Sequence, residues 1–347
     1  MKKTLLLTIV LLVALSACEK ESTDPDPIAD TKTYTKLTNS TSNSEYAGCY
    51  STADTKIYYR SNISAMSSGT YDIWRMNVDG SNQEKILNFS VSGGGAQTGG
   101  LFDISGDRLS FYESNSIHEM LALDLTKTFP INRDTYNGAS DGLSVLLTVP
   151  GGLGAAFVNF HEGTDKGAWV IRTSLNGVSP TVVQLRIADK ASITGANANA
   201  IGSILLTALQ ISEIYSFSPD GSQMAIAYVP TGSESTVKQD VYIINTSDGS
   251  IAQRLTSEGE NGISSSNPAW SPNGSLIAFD RRDADGNYQI YTIKPDGTGL
   301  TQLTKKEDSI EGETDVLSWS SPIWIDNNTL IINRLGTSYR QVWKVKF

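Results

Sequence analysis

Residues 268–279 read Pro268-Ala269-Trp270-Ser271-Pro272-Asn273-Gly274-Ser275-Leu276-Ile277-Ala278-Phe279. The chain continues through Asp285-Gly286 to Gln289-Ile290-Tyr291-Thr292-Ile293, then Pro295-Asp296-Gly297, and closes on Leu300-Thr301-Gln302-Leu303-Thr304. In physical terms this is a turn, an apolar strand, a hairpin, an alternating strand, an Asp-Gly turn and a last strand. Asp-Gly between alternating strands is the strongest short hairpin signal, because such turns need the positive φ that glycine supplies. The stretch predicts one small antiparallel sheet.

The same unit recurs along the chain. Phe217-Ser218-Pro219-Asp220-Gly221-Ser222 leads into Met224–Tyr228, then Asp240–Ile244 and Arg254-Leu255-Thr256. Pro322-Ile323-Trp324-Ile325-Asp326 leads into Leu330-Ile331-Ile332, then Gln341–Val345. Earlier, Lys56–Tyr59 is followed by Asp72–Met76, Asp79-Gly80 and Lys85–Leu87, and Ile104–Asp107 precedes Leu109–Phe111 and Met120–Leu123. The least regular copy is expected over 142–187, with Ala156–Val158, Trp169–Ile171 and Val182–Leu185. Six units of about 45–50 residues, each with strand periodicity and none with a convincing amphipathic helix, predict an all-β ring of four-stranded blades.

The Trp-Ser-Pro-Asn-Gly stretch (Trp270, Ser271, Pro272, Asn273, Gly274), its Phe-Ser-Pro-Asp-Gly copy (Ser218, Pro219, Asp220, Gly221) and the Pro322/Trp324 pair resemble the PD40 (WD40-like) repeat of TolB-type β-propellers. The resemblance implies a six-bladed propeller over 34–347 and work as a docking module in the cell envelope. TolB carries an α/β domain ahead of its propeller. None is read here, so its partnership is not carried over. The last unit stops after its third strand, and Tyr34-Thr35-Lys36-Leu37-Thr38 mimics the fourth-strand stretch Leu300–Thr304. The N-terminal strand is therefore expected to complete the final blade and remove its exposed edge.

Composition agrees with a folded β protein. Of 347 residues, 39% are apolar and 18% charged, with 30 glycines and 11 prolines. That excludes collagen-like, coiled-coil and wholly disordered chains. A net charge of −10 without a basic cluster leaves no electrostatic footprint for nucleic acid.

The N-terminus predicts export. Met1-Lys2-Lys3 precedes an apolar run from Leu5 to Leu15 broken only by Thr8, a secretory signal too short to span a bilayer. Leu15-Ser16-Ala17-Cys18 resembles the bacterial lipobox, which implies cleavage after residue 17 and lipidation of Cys18. Ordinary secretory cleavage with an unmodified Cys18 is the alternative. Residues 18–33 are acidic and bear prolines, so they read as a flexible tether. Glu19-Lys20-Glu21 resembles the export signal of surface-exposed Bacteroidetes lipoproteins. Residues 1–17 hold two lysines and no acid, so their removal takes the net charge from −10 to −12. With Cys18 lipidated, Cys49 is left without an intramolecular disulfide partner and reads as a buried, inert thiol.

No stretch of sequence carries catalysis convincingly. The two histidines, His118 and His161, lack a neighbouring carboxylate cluster and read as structural. Gly138-Ala139-Ser140-Asp141-Gly142 matches the hydrolase elbow pattern, but a strand rather than a helix follows it. Asp283–Asn287 lacks the glycine and glutamate spacing of a calcium loop. The Gly-rich stretches Ser90–Gly100 and Gly151–Gly154 open no helix, so phosphate cradling is not expected. Trp270 and Trp324, like Trp74, Tyr242, Tyr291 and Trp343, recur at fixed repeat positions and are read as packing between blades. Functional contacts are expected on long connections: Ser61–Thr70, Ser90–Gly100, Ala188–Ile201 (an insertion or lid), Thr231–Gln239 and Lys305–Asp315. These readings converge on a monomeric propeller without metal or cofactor, lipid-anchored at the outer membrane, surface-exposed or periplasm-facing. It is expected to bind an envelope protein or an oligosaccharide. A propeller-type glycan hydrolase or lyase using carboxylates at the channel mouth is the alternative.

Overall fold

The computed structural model describes residues 32–39, 43–61, 71–88, 103–105, 108–113, 119–132, 143–148, 155–161, 163–175, 178–193, 195–198, 200–212, 214–282, 285–306, 308, 318–336 and 339–347. The strand nearest the N-terminus is β1 (Thr33–Lys36), and its partner comes from the other end of the chain. The first meander then runs β2 (Glu45–Ser51), β3 (Lys56–Ser61), β4 (Asp72–Asn77) and β5 (Glu84–Asn88). The second is β6 (Asp103–Ser105), β7 (Arg108–Glu113), β8 (Glu119–Asp124) and, after β9 (Ile131–Asn132) has paired parallel to β5, β10 (Leu143–Thr148). The third is β11 (Ala155–Phe160), β12 (Lys166–Leu175), β13 (Val178–Asp189) and, beyond the short helix α1 (Lys190–Ile193) and β14 (Ala196–Asn197), β15 (Ser203–Ile211).

Strand β15 serves two sheets: Ser203–Ala208 pairs with β13, and Ala208–Ile211 pairs with β17 (Gln223–Pro230) of the next meander. That fourth meander adds β16 (Ser216–Phe217) on the near side of β17, then β18 (Asp240–Asn245) and β19 (Ile251–Arg254). The fifth is β20 (Ser265–Trp270), β21 (Ile277–Arg282), β22 (Tyr288–Ile293) and β23 (Thr301–Gln302). The last is β24 (Ser318–Asp326), β25 (Thr329–Leu335) and β26 (Arg340–Lys346), and its fourth strand is β1. The Trp-Ser-Pro-Asn-Gly stretch therefore sits where the repeat predicts it, at the turn between first and second strands.

One boundary differs from the sequence reading. Leu143–Thr148 pairs antiparallel with β8 and ends the second meander instead of starting the third. Both an outer and an inner strand of a packed sheet present short apolar runs, so periodicity alone does not tell them apart.

Apolar residues meet between neighbouring sheets. Tyr58, Ile73 and Leu87 of the first meander pack on Leu109, Phe111 and Leu121 of the second. Leu147 of the second meets Trp169 and Ile171 of the third, and Leu185 of the third meets Ile226 of the fourth. Ala227 and Val241 meet Phe279 of the fifth, and Ala278 and Ile290 meet Trp319 and Trp343 of the last. Ile331 and Val342 of the last then meet Ala47, Ile57 and Met76 of the first. Each layer contributes alternating buried side chains to the joints on both of its faces, which is why the central strands carry almost unbroken apolar runs.

The closing strand copies its repeat counterparts atom for atom. Leu37 donates its N–H to Val342 O (2.9 Å), and Val342 N–H is capped by Thr38 Oγ1 (3.0 Å). Leu303 and Thr304 make the same pair of bonds to Ile290 (2.8 and 2.9 Å), and Leu255 and Thr256 make it to Val241 (2.8 and 2.9 Å). Lys32 Nζ adds a bond to Leu303 O (3.0 Å), and Tyr34 donates its hydroxyl to Asp308. Lys32 and Thr33, just ahead of residue 34, thus take part in the closing contact.

Candidate functional site

The turns between first and second strands share one construction. Ser218 donates its hydroxyl to Asp220 Oδ1 (2.6 Å) and accepts Gln223 N–H (3.0 Å), and Ser222 N–H also reaches Asp220 Oδ1 (3.0 Å). These hydrogen bonds, from Ser218 first and then Ser222, draw the Asp220 carboxyl down to about 2. In the next meander Ser271 donates to Asn273 Oδ1 (2.9 Å) and accepts Leu276 N–H (2.9 Å). Gly221 and Gly274 follow at φ +71° and +74°. The Ser-Pro-Asx-Gly stretch is therefore a self-contained turn whose polar groups are used internally.

The third meander breaks the pattern. His161 occupies the position of Ser218 and Ser271: its N–H bonds Lys166 O five residues on, as theirs bond Gln223 O and Leu276 O. Its ring instead crosses to the next meander, with Nε2 at 3.1 Å from Pro219 O, and it packs edge-on against Phe217. A carbonyl can only accept, so Nε2 is the donor in this contact. His161 is only 8% exposed.

Three consecutive turns here enclose a groove of about 550 Å³. Its walls come from Asn159, Phe160 and His161 on one side, Ser216–Pro219 in the middle, and Trp270, Ser271 and Pro272 on the other. Among the described residues the lining contains no Asp, Glu, Lys or Arg. Pro219 and Pro272 stand exposed at the rim. Of the repeat residues singled out in the sequence, Ser218, Pro219, Trp270, Ser271 and Pro272 converge on this groove. Pro322 and Trp324 lie elsewhere, with Trp324 7% exposed in the joint below and donating Nε1–H to Ala269 O (2.9 Å). Trp270, read as packing only, is half-buried: it packs on the core of the fourth and fifth meanders and also lines the groove. His161, read as structural, spans two meanders.

A second polar array lies on the first strands. Ser212 donates to Asn267 Oδ1 (2.8 Å), Asn267 Nδ2 donates to Asp280 Oδ2 (2.6 Å), and Ser321 N–H reaches Asp280 Oδ1 (2.8 Å). Asn267 and Ser321 hold φ of +53° and +54° at irregular points of β20 and β24, each just before a proline. These bulges turn an N–H toward the preceding sheet, where a side chain receives it: Ser212 Oγ for Asn267 (3.1 Å), Asp280 for Ser321, and Asn333 Oδ1 for Ala47 (2.8 Å). Asp280 is 1% exposed, and burial raises its carboxyl to about 8 against the opposing pull of Asn267 and Ser321.

Cys18, His118 and Gly138–Gly142 lie outside the described residues, as do nearly all of the connections Ser61–Thr70, Ser90–Gly100 and Lys305–Asp315. Ala188–Ile201 is an insertion but no lid. Ala196 and Asn197 pair parallel with β10, and Ile193 and Ala198 are fully buried against Trp169 and Leu147. Its small residues allow that close packing, which composition alone does not distinguish from a mobile loop. Cys49 is buried in the first joint. Among the described residues no group of three His, Cys, Asp or Glu is placed to hold a metal, and no helix is long and apolar enough to cross a membrane.

With the geometry described, the class of fold is defined by likeness to solved structures. TolB from Acinetobacter baumannii matches with a TM-score of 0.51 at 14% identity, over 86% of this chain and 65% of that one. A protein described as TolB from Agrobacterium tumefaciens matches with a TM-score of 0.51 at 13% identity, over 91% and 97%. A puromycin hydrolase matches with a TM-score of 0.52 at 14% identity, over 86% of this chain and 45% of the enzyme. The fold is a TolB-like β-propeller. Among curated proteins, dipeptidyl-peptidase 5 of Porphyromonas endodontalis is 32% identical over 110 residues, which span 31% of this chain and 15% of that peptidase. No protein-family model matches.

Proposed function

We propose that the chain is a lipid-anchored envelope protein whose six-bladed propeller binds a protein partner, with no bond chemistry of its own. The six-blade count rests on six apolar joints that follow one another around the chain, the sixth shared by the last and first meanders. The anchor rests on Cys18 and the tether on residues 18–33. The Porphyromonas relative fits the Bacteroidetes-type export signal, and surface or periplasmic exposure both suit an acidic propeller on a leash.

The observation that carries binding over catalysis is the groove itself. Among the described residues its lining holds no Asp, Glu, Lys or Arg, and Ser218 and Ser271 are occupied in holding their own turns. The test is crosslinking on intact native cells, capture through a C-terminal tag and mass spectrometry, with Pro272→Asp as the groove variant. One dominant partner, lost in the variant, is expected. Saturable oligosaccharide binding with no captured protein would move the function to glycan recognition.

A carboxylate enzyme is the second reading, favoured by Asp280, whose raised carboxyl has the character of a general acid. Both its oxygens are occupied by Asn267 and Ser321, and it is closed from solvent. Turnover of envelope polysaccharides, abolished by Asp280→Asn, would establish this reading instead.

A further inference from the structure

We infer that the outer edge of β19 is a docking site at which an extended, aliphatic segment of a partner protein adds as a parallel strand. The inference deepens the proposed binding of a protein partner and rests on it, adding a contact separate from the groove.

The chain itself shows how such an edge is covered. β9 lies parallel on the outer side of β5, pairing Ile131 with Leu87, and β14 lies parallel on the outer side of β10, pairing Ala196 with Leu147. Each addition seals apolar surface. Ile131 is buried in the joint of the first two meanders, and Ile193 and Ala198, on either side of β14, are fully buried. The next three meanders receive no such addition among the described residues. Over Ser203–Leu206 β15 bonds only β13, β19 bonds only β18, and β23 bonds only β22.

Side chains mark the same three edges. Ile204, Ile251 and Leu300 are the large apolar side chains left exposed among the described residues, at 47, 55 and 45%. Ile204 stands second in β15, Ile251 opens β19, and Leu300 directly precedes β23. Single exposed aliphatics are ordinary on a surface. Three at one repeat position, on consecutive uncovered edges, are not scattered, and the covered strands β5 and β10 leave none exposed. β19 offers four residues against two in β23, and Ile251 is the most exposed of the three.

These features select the occupant. An unpaired edge offers main-chain N–H and C=O groups to another extended chain, and the side chains beside it decide which chain fits. Both additions within the molecule are parallel, whereas two copies of one edge related by a two-fold axis run antiparallel, so the precedent favours a separate partner over a second copy. The cation on this edge, Arg254, is already paired with Asp240 (2.7 Å). Asp248, exposed just ahead of Ile251, favours a cation at the leading end of the added strand.

The test titrates the purified protein with a capped Lys-Val-Thr-Ile-Thr-Val-Lys peptide, beside its fully N-methylated counterpart, and reads amide hydrogen exchange over β19. Saturable binding of the first peptide alone is expected, slowing exchange there about tenfold at roughly ten times the Kd. Ile251→Lys is expected to abolish binding with an unchanged melting temperature, and Pro272→Asp in the groove is expected to keep it. Absence of saturable binding, or equal binding by the N-methylated peptide or by Ile251→Lys, overturns the inference. A dimer of the parent that Ile251→Lys returns to monomer, with no peptide bound, would give the edge to a second copy and overturn it too. A native partner captured from cells and retained by Ile251→Lys, again with no peptide bound, would overturn the edge and leave the binding function standing. Peptide bound at β19 with no partner captured would do the reverse.

Discussion

Asp280 is a buried acid that the propeller keeps protonated, and this fixes the sign of a pH effect. An unfolded aspartate ionises near 3.9, whereas here burial raises the group to about 8. Below pH about 4 both states hold the proton and no cost arises. Between about 4 and 8 the unfolded chain releases it while the native state does not, so stability falls as pH rises; above about 8 the loss levels off, at a few kcal/mol. Asp280→Asn is expected to flatten urea-denaturation stability across that window and to be the more stable protein at pH 8. An unchanged slope would mean that the carboxyl is already charged. Asn333 shows that the side chain is acceptable, since it stands at the same register position and caps Ala47 N–H as Asp280 caps Ser321. Nothing in Phe279-Asp280-Arg281 marks this residue as buried. Aligning Leu330-Ile331-Ile332-Asn333 under Ile277-Ala278-Phe279-Asp280 would have flagged it, because two polar residues end otherwise apolar second strands.

Hairpin turns were legible as turns, and their second role was not. The Asp-Gly pairs at 79–80 and 248–249 are readable from dipeptide chemistry, and Gly80 and Gly249 take φ of +85° and +73°. What single-blade reasoning omits is that these turns butt against the fourth strand of the preceding blade. A Cβ on Gly249 would fall 1.9 Å from Leu205 O, and one on Gly80 would fall 2.7 Å from Leu37 O. Gly249→Ala therefore meets left-handed strain and a backbone clash, and about 3 kcal/mol of destabilisation is expected. Gly232, at φ +84° with nothing within 4 Å of its Cβ position, carries only the strain, and Gly232→Ala is expected to cost about 1 kcal/mol. Chemical denaturation of the two variants separates the terms; equal losses would refute the docking role. The Leu-Thr ending of the fourth strand was readable because three copies share it. The outer strand Leu143–Thr148 carries the same ending at Leu147-Thr148, and was misplaced because its apolar run reads equally well as the first strand of the next unit. The groove was hidden for a related reason: its residues were visible one turn at a time, and only the ring brings three turns together.

At the scale of the whole molecule, the anchor and the ring make separable predictions. Cys18→Ala is expected to release the protein from membranes into the soluble fraction while leaving its melting temperature unchanged, because Cys18 precedes β1 by fifteen residues. Retention of that variant on membranes would remove lipidation from the account. Closure was foreseeable from sequence because Tyr34–Thr38 repeats a fourth strand, and the structure adds the bonds that make it specific.

That closure also decides how the protein meets mechanical load. The fastener of the ring is β1, four residues long, and Cys18 lies fifteen residues ahead of its first residue, Thr33, in the sequence. With Cys18 as the proposed anchor, tension between membrane and a bound partner would enter the molecule at its own clasp. Drawn along the strand, the bonds from Thr33–Lys36 to Trp343–Lys346 share the force together; drawn sideways, they break in succession, starting at Thr33–Lys346. Lys32 and Tyr34, tied to Leu303 and Asp308 on the neighbouring blade, stand at the point where such peeling begins.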